Sequence, residues 1–310
     1  MTQRRPSFPA RLDMGKPASP KGATPQPVNT NPSNRAVSVS VTQGVTTARG
    51  SGASSGRPSP QVTVVGPGRH VKPPPAMPSG LGLDSAAVRA GMVRKLAAQG
   101  VSDPQVLAAM GQVERHRFVD SALVIQAYED TSLPIGLGQT ISKPNVVARM
   151  IELLLAAPGR RIRAASGQSL PPLLPLMGRV LEIGTGCGYQ AAVLACVSRE
   201  VYSIERLRGL HDKARDNLRP LHIANLHLLF GDGMVGYPKG APYAGIIAAA
   251  GGEAVPQAWI DQLADGGRLV APTVMEGGRQ ALVVIDRTPA GLVRNVLEAV
   301  HFVPLKSGTA

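Results

Sequence analysis

The fold is decided by residues 179–190, which read RVLEIGTGCGYQ. An apolar strand is predicted over residues 180–183, three glycines alternate with other residues directly after it, and a helix is predicted from Tyr189. Glycine permits positive φ angles and a close approach of the backbone to a ligand. A strand, a glycine loop and a helix in this order are typical of a nucleotide-cofactor site, although a tight strand–helix turn would look the same.

Strands and helices alternate through the rest of the C-terminal half. Further strands are predicted at residues 201–204, 226–230, 244–248, 268–271, 281–285 and 297–303, with a helix at 207–218. This alternation predicts an α/β fold with a doubly wound, mostly parallel, Rossmann-like sheet. Upstream, helices are predicted at residues 85–98, 103–113 and 145–156, and residues 115–144 are predicted to be rich in loops.

Acidic residues stand at the ends of three successive predicted strands. Glu182 precedes the first glycine, Glu205 ends the second strand, and Asp232 with Gly233 ends the third. Because ligands of open parallel sheets bind at the carboxyl ends of the strands, these acids are expected to lie near the glycine loop. Glu205 is placed to accept the hydroxyls of a ribose.

The spacing and the acids together favour one kind of cofactor. A dinucleotide site has the spacing Gly-x-Gly-x-x-Gly, whereas the third glycine of this chain comes one residue early. Three acids suit a cationic nucleoside that carries an amino acid better than a pyrophosphate, and S-adenosylmethionine fits. The predicted cofactor-binding residues are Glu182, Gly184, Thr185, Gly186, Gly188, Glu205, Asp232 and Gly233.

At this point the sequence resembles a known family, the protein-L-isoaspartate O-methyltransferases. Residues 179–190 resemble its first motif, in which the Gly-Tyr-Gln ending is specific, and residues 127–136 (AYEDTSLPIG) with 138–142 (GQTIS) resemble a second. Similar segments at 115–120 (RHRFVD) and 302–305 (FVPL) make the resemblance nearly continuous over residues 85–306. It implies methyl transfer from S-adenosylmethionine to the free α-carboxylate of L-isoaspartyl residues in damaged proteins and peptides, which initiates repair.

The resemblance also implies an active-site residue, Ser142, with Thr140 as a second hydroxyl suited to the same work. A carboxylate is ionised at neutral pH, so the reaction needs alignment rather than a general base. Judged on the residues alone, Ser142 could equally be the N-cap of the helix predicted from residue 145. Since no base is required, we expect a structural role for His116. No metal-ligand spacing is present among the histidines and cysteines.

Three features depart from the family pattern. Gly245 stands where the family has an aspartate, residues 158–178 form a longer connection than usual before the first motif, and the N-terminal segment is additional. We therefore divide the chain into a tail, residues 1–80, and a methyltransferase domain, residues 81–310. The domain comprises N-terminal helices and substrate loops at 81–157, an insertion at 158–178 and a cofactor-binding core at 179–310.

The tail is basic and rich in Pro, Ser and Gly. It carries ten basic residues and one acid, a net +9 of the formal +13 of the whole chain. Such a composition cannot bury enough apolar surface to offset the entropy of ordering, so we predict a disordered segment with weak binding to polyanions. A targeting peptide is the alternative, although the density of proline opposes the amphipathic helix that it would need.

The remaining expectations follow from composition. Two cysteines and no apolar run of membrane-spanning length predict a cytoplasmic protein with no membrane partner. A monomer is the default expectation for the oligomeric state. The basic tail leaves two rival functions open. A nucleic-acid methyltransferase would need a placed cysteine or an Asn/Asp-Pro-Pro motif, where this chain has Ala248-Ala249-Ala250-Gly251. A non-catalytic nucleic-acid-binding module would not need the intact cofactor motifs.

Overall fold

A computed structural model describes residues 86–159 and 176–310. The predicted tail at 1–80 and most of the predicted insertion at 158–178 lie outside the described residues. The helices are α1 (Ala86–Ala98), α2 (Pro104–Gln112), α3 (Pro144–Leu155), α4 (Tyr189–Val197), α5 (Arg208–Leu218) and α6 (Gln257–Asp261). The strands are β1 (Leu133–Gly136), β2 (Gln139–Ile141), β3 (Met177–Ile183), β4 (Ser198–Glu205), β5 (Leu226–Phe230), β6 (Tyr243–Ala248), β7 (Leu263–Val274), β8 (Gln280–Thr288) and β9 (Gly291–Val300). None of these helices combines the length and the apolar character needed to cross a bilayer.

Seven strands form one sheet in the order β5-β4-β3-β6-β7-β8-β9. The first five are mutually parallel, and β8 is antiparallel to both of its neighbours. After β3 the chain adds β4 and then β5 on one side of β3, and it then returns to add β6 on the other side. The crevice beyond the carboxyl ends of β3 and β6 is therefore the switch point at which open α/β sheets bind ligands.

Both faces of the sheet are covered by apolar side chains. One cluster joins residues of α1 to α5 to Val180 and Ile247 of the sheet. The other packs Trp259 of α6 against the opposite side of the same strands, including Leu181 and Ile246. Neighbouring residues of a strand fall into different clusters because their side chains point to opposite faces. The predicted α/β architecture is confirmed.

Helix α3 corrects one predicted feature of the active-site loop. The helix begins at Pro144 and its N-cap is Lys143, so Ser142 lies one residue too early to be the cap. Lys143 makes no side-chain capping bond. Instead, Oδ1 of Asp130 accepts the N–H of Asn145 at 2.9 Å. Asp130, which lies in a separate loop, thus caps the helix. The sequence analysis had left that role open for Ser142.

The C-terminal strand and the substrate loops also differ from prediction. The last strand is β9 at Gly291–Val300 rather than residues 297–303, because a hairpin with β8 sets its register and residues 301–303 leave the sheet. Leu292, Val293 and Val296 of β9 are exposed. The strand therefore lacks the alternation of buried apolar and exposed polar residues from which a strand is predicted. The stretch predicted as loops contains two short 3-10 helices and the antiparallel hairpin β1–β2.

Candidate active site

The glycine loop lies at the carboxyl end of β3, in the crevice of the sheet. Gly184 and Gly186 have φ angles of 90° and 58°, which favour glycine over residues with a Cβ. Gly184 N donates to the carbonyl of Ile204 at 2.9 Å, which ties the loop to β4. A Cβ on Gly186 would lie 3.3 Å from Ile135 of the β1–β2 hairpin. The backbone of the loop is therefore pressed between the sheet and the hairpin.

Glu205 is held rigidly at the end of β4. Its side chain is 5% exposed, and its two oxygens accept backbone N–H groups from Gly186 at 2.9 Å and from Leu207 at 2.9 Å. A carboxylate has about four acceptor positions, so two remain for a ligand. These bonds fix the orientation of the carboxylate before any ligand arrives.

A cavity of about 260 Å³ occupies the crevice. Its walls come from the glycine loop, the end of β4, the β1–β2 hairpin and the segment at residues 303–306. Seven of the predicted site residues line it, namely Thr140, Ser142, Gly184, Thr185, Gly186, Glu205 and Gly233. The structure therefore gathers residues that are almost a hundred positions apart in the chain around one space that suits a nucleoside.

Three predicted cofactor-binding residues are not part of this wall: Glu182, Gly188 and Asp232. Gly188 is the N-cap of α4 with φ 92°, and a Cβ there would come within 2.7 Å of Leu218. Glycine is required at this position because the loop packs closely against α5. Asp232 accepts Met234 N at 2.8 Å and Gly308 N at 2.7 Å. Its two oxygens thus hold the following turn and a distant segment of the chain.

Glu182 lies beneath the glycine loop with no exposed surface. Burial raises its pKa to about 8, and the side chains of Ser203 and Gln190 act against that rise. Ser203 donates to Glu182 and also bonds the hydroxyl of Thr185 at 2.6 Å. Glu182 is therefore connected to the cavity through Thr185 rather than by its own carboxylate.

Residues 303–306 line the cavity and belong to a C-terminal segment that is fixed at both ends. Leu305 N donates to Gly251 O at 2.8 Å, which fixes one end beside β6. Ala310 N donates to Arg206 O at 2.8 Å and Arg206 Nε donates to Gly308 O at 2.9 Å, which fix the other end beside β4. Sequence reasoning noted the similarity of residues 302–305 to the family but gave this segment no part in the site.

A second cavity of about 330 Å³ adjoins the first. Thr140, Ser142, Ala249 and Val303 line both cavities. Lys143 and His301 are the ionisable residues in its wall, which contains no acid. Ser142 is half-buried at the junction, and its carbonyl accepts a hydrogen bond from Arg115. Sequence reasoning missed Lys143 and His301, although Lys143 directly follows the motif that contains Ser142.

Leu137 is a further wall residue that sequence reasoning missed. It stands at the tip of the β1–β2 hairpin with φ 52° and a 62% exposed side chain, and it lines the first cavity. The flanking glycines, Gly136 and Gly138, were the signal of a turn. His116 lies outside both walls and bonds Tyr128 through Nδ1 at 2.7 Å, while its structural role stays a prediction.

The fold and the site define the class: a Rossmann-like methyltransferase that uses S-adenosylmethionine. A sequence model described as protein-L-isoaspartate(D-aspartate) O-methyltransferase matches residues 87–310. A protein-L-isoaspartate O-methyltransferase from Methylibium petroleiphilum is 54% identical over 306 residues, covering 98% of this chain and 97% of the relative. A second from Leptothrix cholodnii is 58% identical over 238 residues, covering 76% and 79%. The chain belongs to the protein-L-isoaspartate O-methyltransferase family.

Two solved structures share this fold. One described as a protein-L-isoaspartate O-methyltransferase superposes with a TM-score of 0.60 at 29% identity, covering 71% of this chain and 66% of the other. A second, from Plasmodium falciparum and in complex with S-adenosyl-L-homocysteine, has a TM-score of 0.56 at 24% identity, covering 70% and 98%. It supports the fold.

As a member of this family, the chain is an S-adenosylmethionine-dependent enzyme that methylates the free α-carboxylate of L-isoaspartyl residues in damaged proteins and peptides. That reaction initiates their repair. The match with the Methylibium relative covers nearly the whole chain, so it also takes in most of the N-terminal segment that sequence reasoning had treated as additional.

Proposed function

We propose that methyl transfer takes place where the two cavities meet, and that Ser142 and Thr140 orient the acceptor there. The observation that carries this proposal is that both residues line both cavities. The cavity with the glycine loop and Glu205 takes S-adenosylmethionine, which supplies a methyl group on a sulfonium. The cavity with Lys143 and His301 takes the isoaspartyl peptide.

On the acceptor side, the reaction requires mainly that the carboxylate be aligned with the methyl group. An isoaspartyl α-carboxylate is ionised at neutral pH and already nucleophilic. One oxygen accepts a hydrogen bond from the Ser142 or Thr140 hydroxyl, which leaves the other oxygen free to point at the methyl group. Holding the reacting atoms about 3 Å apart in this way removes much of the entropic part of the barrier. Lys143 makes the wall of the second cavity favourable for an anion.

On the cofactor side, Glu205 accepts the ribose hydroxyls with the positions left free by Gly186 and Leu207. Gly184, Gly186 and Gly233 allow the backbone to approach the cofactor closely, and Thr185 lines the cavity from the loop. Glu182 and Asp232 act on the cofactor indirectly, through the residues that they hold in place. Glu182 holds Thr185 by way of Ser203, and Asp232 holds the C-terminal segment that lines the cavity.

We further propose that the enzyme works as a monomer in the cytoplasm. Cys187 and Cys196 are both free thiols, which suits a reducing compartment. The chain is proposed to divide into a tail at 1–80, which is dispensable for catalysis and gives weak, salt-sensitive contacts to polyanions, and a methyltransferase domain at 81–310 that includes the insertion at 158–178.

A methyl-transfer assay tests the proposed function most directly. Purified full-length protein is given S-adenosylmethionine with an isoaspartyl peptide, and the same peptide with ordinary aspartate serves as the control. Transfer to the isoaspartyl peptide alone supports the proposal. Binding of RNA that falls steeply with salt, without methyl transfer to the isoaspartyl peptide, would show a nucleic-acid-binding module instead.

A further inference from the structure

Arg115 is a fully buried arginine to which neither the reaction nor the cofactor site has given a role. It begins a short 3-10 helix, Arg115–Phe118, and has no exposed surface. Burying a guanidinium is costly unless its charge and its donors are matched. Among residues 86–159 and 176–310, no carboxylate lies within ion-pair distance of it, in contrast to Arg268 with Asp286.

The contacts of Arg115 join two active-site residues, Ser142 and Tyr189, to the loop that contains Ala127. Nε donates to the carbonyl of Ala127 at 2.8 Å, and Nη2 donates to the carbonyl of Ser142 at 2.7 Å. The guanidinium carbon lies 4.7 Å from the centre of the Tyr189 ring, at a distance suited to a cation–π contact. Tyr189 lines the cofactor cavity, and Ser142 lines both cavities.

The fork of the guanidinium suits this arrangement better than any other side chain. It places two parallel donors on two carbonyls while its flat face covers an aromatic ring, which a lysine ammonium cannot do at once. The third nitrogen, Nη1, is buried with no hydrogen-bond partner within the described part of the chain. The enzyme thus keeps a buried cation that is hydrogen-bonded to the backbone of Ser142.

We infer that Arg115 is a positioning residue for methyl transfer, which sets the backbone of Ser142 relative to the helix that follows the cofactor loop. Through Ser142 it determines where the acceptor carboxylate sits, and its charge favours that carboxylate. The inference rests on the proposed role of Ser142. It concerns a residue that touches neither cavity, since Arg115 is absent from both walls.

Arg117 offers a matched control on the same 3-10 helix. It is about half exposed and is paired with Glu114 at the surface, away from both cavities. The test compares Arg115→Lys and Arg115→Gln with Arg117→Lys and Arg117→Gln. For each variant, kcat and KM for an isoaspartyl peptide are measured per folded molecule. Titration with S-adenosylhomocysteine gives both the fraction of folded molecules and the affinity of the cofactor site.

We expect Arg115→Lys to lower kcat about ten- to a hundredfold, as a displacement of about 1 Å at a reacting group does. Affinity for S-adenosylhomocysteine should stay near wild type, because Tyr189 is also held by Phe118 and Met110. Arg115→Gln, which loses the charge as well, should in addition raise KM for the peptide. Both Arg117 variants should match wild type.

Three results would overturn the inference. They are an unchanged kcat in Arg115→Lys, a fall in kcat that merely parallels a loss of cofactor affinity, and failure of both Arg115 variants to fold. The last would make Arg115 a requirement of the fold instead. Failure of the proposed function would look different, because the wild-type enzyme itself would then not methylate the isoaspartyl peptide.

Discussion

The backbone N–H of Gly186 donates to Oε2 of Glu205 at 2.9 Å and so joins the glycine loop after β3 to the end of β4. The acid that sequence reasoning assigned to the ribose therefore also sets the shape of the loop. In our proposal both functions come from one buried carboxylate, whose second oxygen is held by Leu207. We therefore expect a change at Glu205 to affect the loop and the cofactor together.

Glu205→Ala is expected to weaken cofactor binding about ten- to a hundredfold, because charge-assisted hydrogen bonds are worth about 1.5 to 3 kcal/mol. Calorimetric titration with S-adenosylhomocysteine measures the effect. Glu200→Ala is the control, since Glu200 lies on the same strand but pairs with Arg179 at the surface. Equal affinities in the two variants would remove Glu205 from the cofactor site.

Ser142→Ala is expected to lower kcat on an isoaspartyl peptide about tenfold or more, with little change in cofactor affinity or melting temperature. The small effect on stability follows from the structure, in which Asp130 caps α3 and Ser142 does not. Asp130→Ala is the matched comparison and should cost about 1 kcal/mol of unfolding free energy. A stable Ser142→Ala enzyme with normal turnover would refute the catalytic role.

The buried carboxyl of Glu182 makes stability depend on pH. Its pKa is raised by burial to about 8 in the folded protein, so the folded state holds a proton that the unfolded state releases. This contribution is complete at acid pH below the ordinary pKa of a glutamate and is lost as the pH rises toward 8. Unfolding free energy, measured by denaturant titration, should therefore fall across that range.

Glu182→Gln is the control for this pH dependence. The amide cannot ionise, so the decline of unfolding free energy between about pH 5 and pH 8 should be smaller than in wild type. A curve of the same slope in both proteins would show that Glu182 is ionised in the folded state at neutral pH.

Lys143→Glu is expected to raise KM for isoaspartyl peptides by reversing the charge in the wall of the second cavity. A like charge beside an anionic acceptor is unfavourable, and the effect should shrink as ionic strength rises. Affinity for S-adenosylhomocysteine should not change, because Lys143 does not line the first cavity. Lys239→Glu, remote from both cavity walls, controls for net charge, and an equal rise in KM there would contradict the prediction.

Deletion of residues 1–80 is expected to leave kcat and melting temperature near wild type, because composition predicts a disordered tail. Weak binding to a polyanion such as heparin should be lost with the tail and should decline with salt in the full chain. A large loss of activity or stability on deletion would show that the segment contributes to the catalytic domain.

Local features of the sequence determined the class of fold and the position of the glycine loop. The glycine loop after an apolar strand is predicted from short-range sterics alone. The alternation of strands and helices is predicted from the periodicity of apolar residues alone. The cap of α2 is equally local, because Asp103 accepts the N–H groups of Gln105 and Val106. These interactions span a few residues and are visible in any one stretch of chain.

Tertiary structure alone decided which polar groups face the cavity. Asp130 caps α3 from a distant loop, which leaves Ser142 free at the junction of the cavities. Glu182 turns under the glycine loop, and Asp232 is occupied by Gly308, which lies 76 residues further along the chain. The physical reason is that a buried polar group bonds whatever donor or acceptor the packed fold brings to it, and packing joins residues that sequence separates.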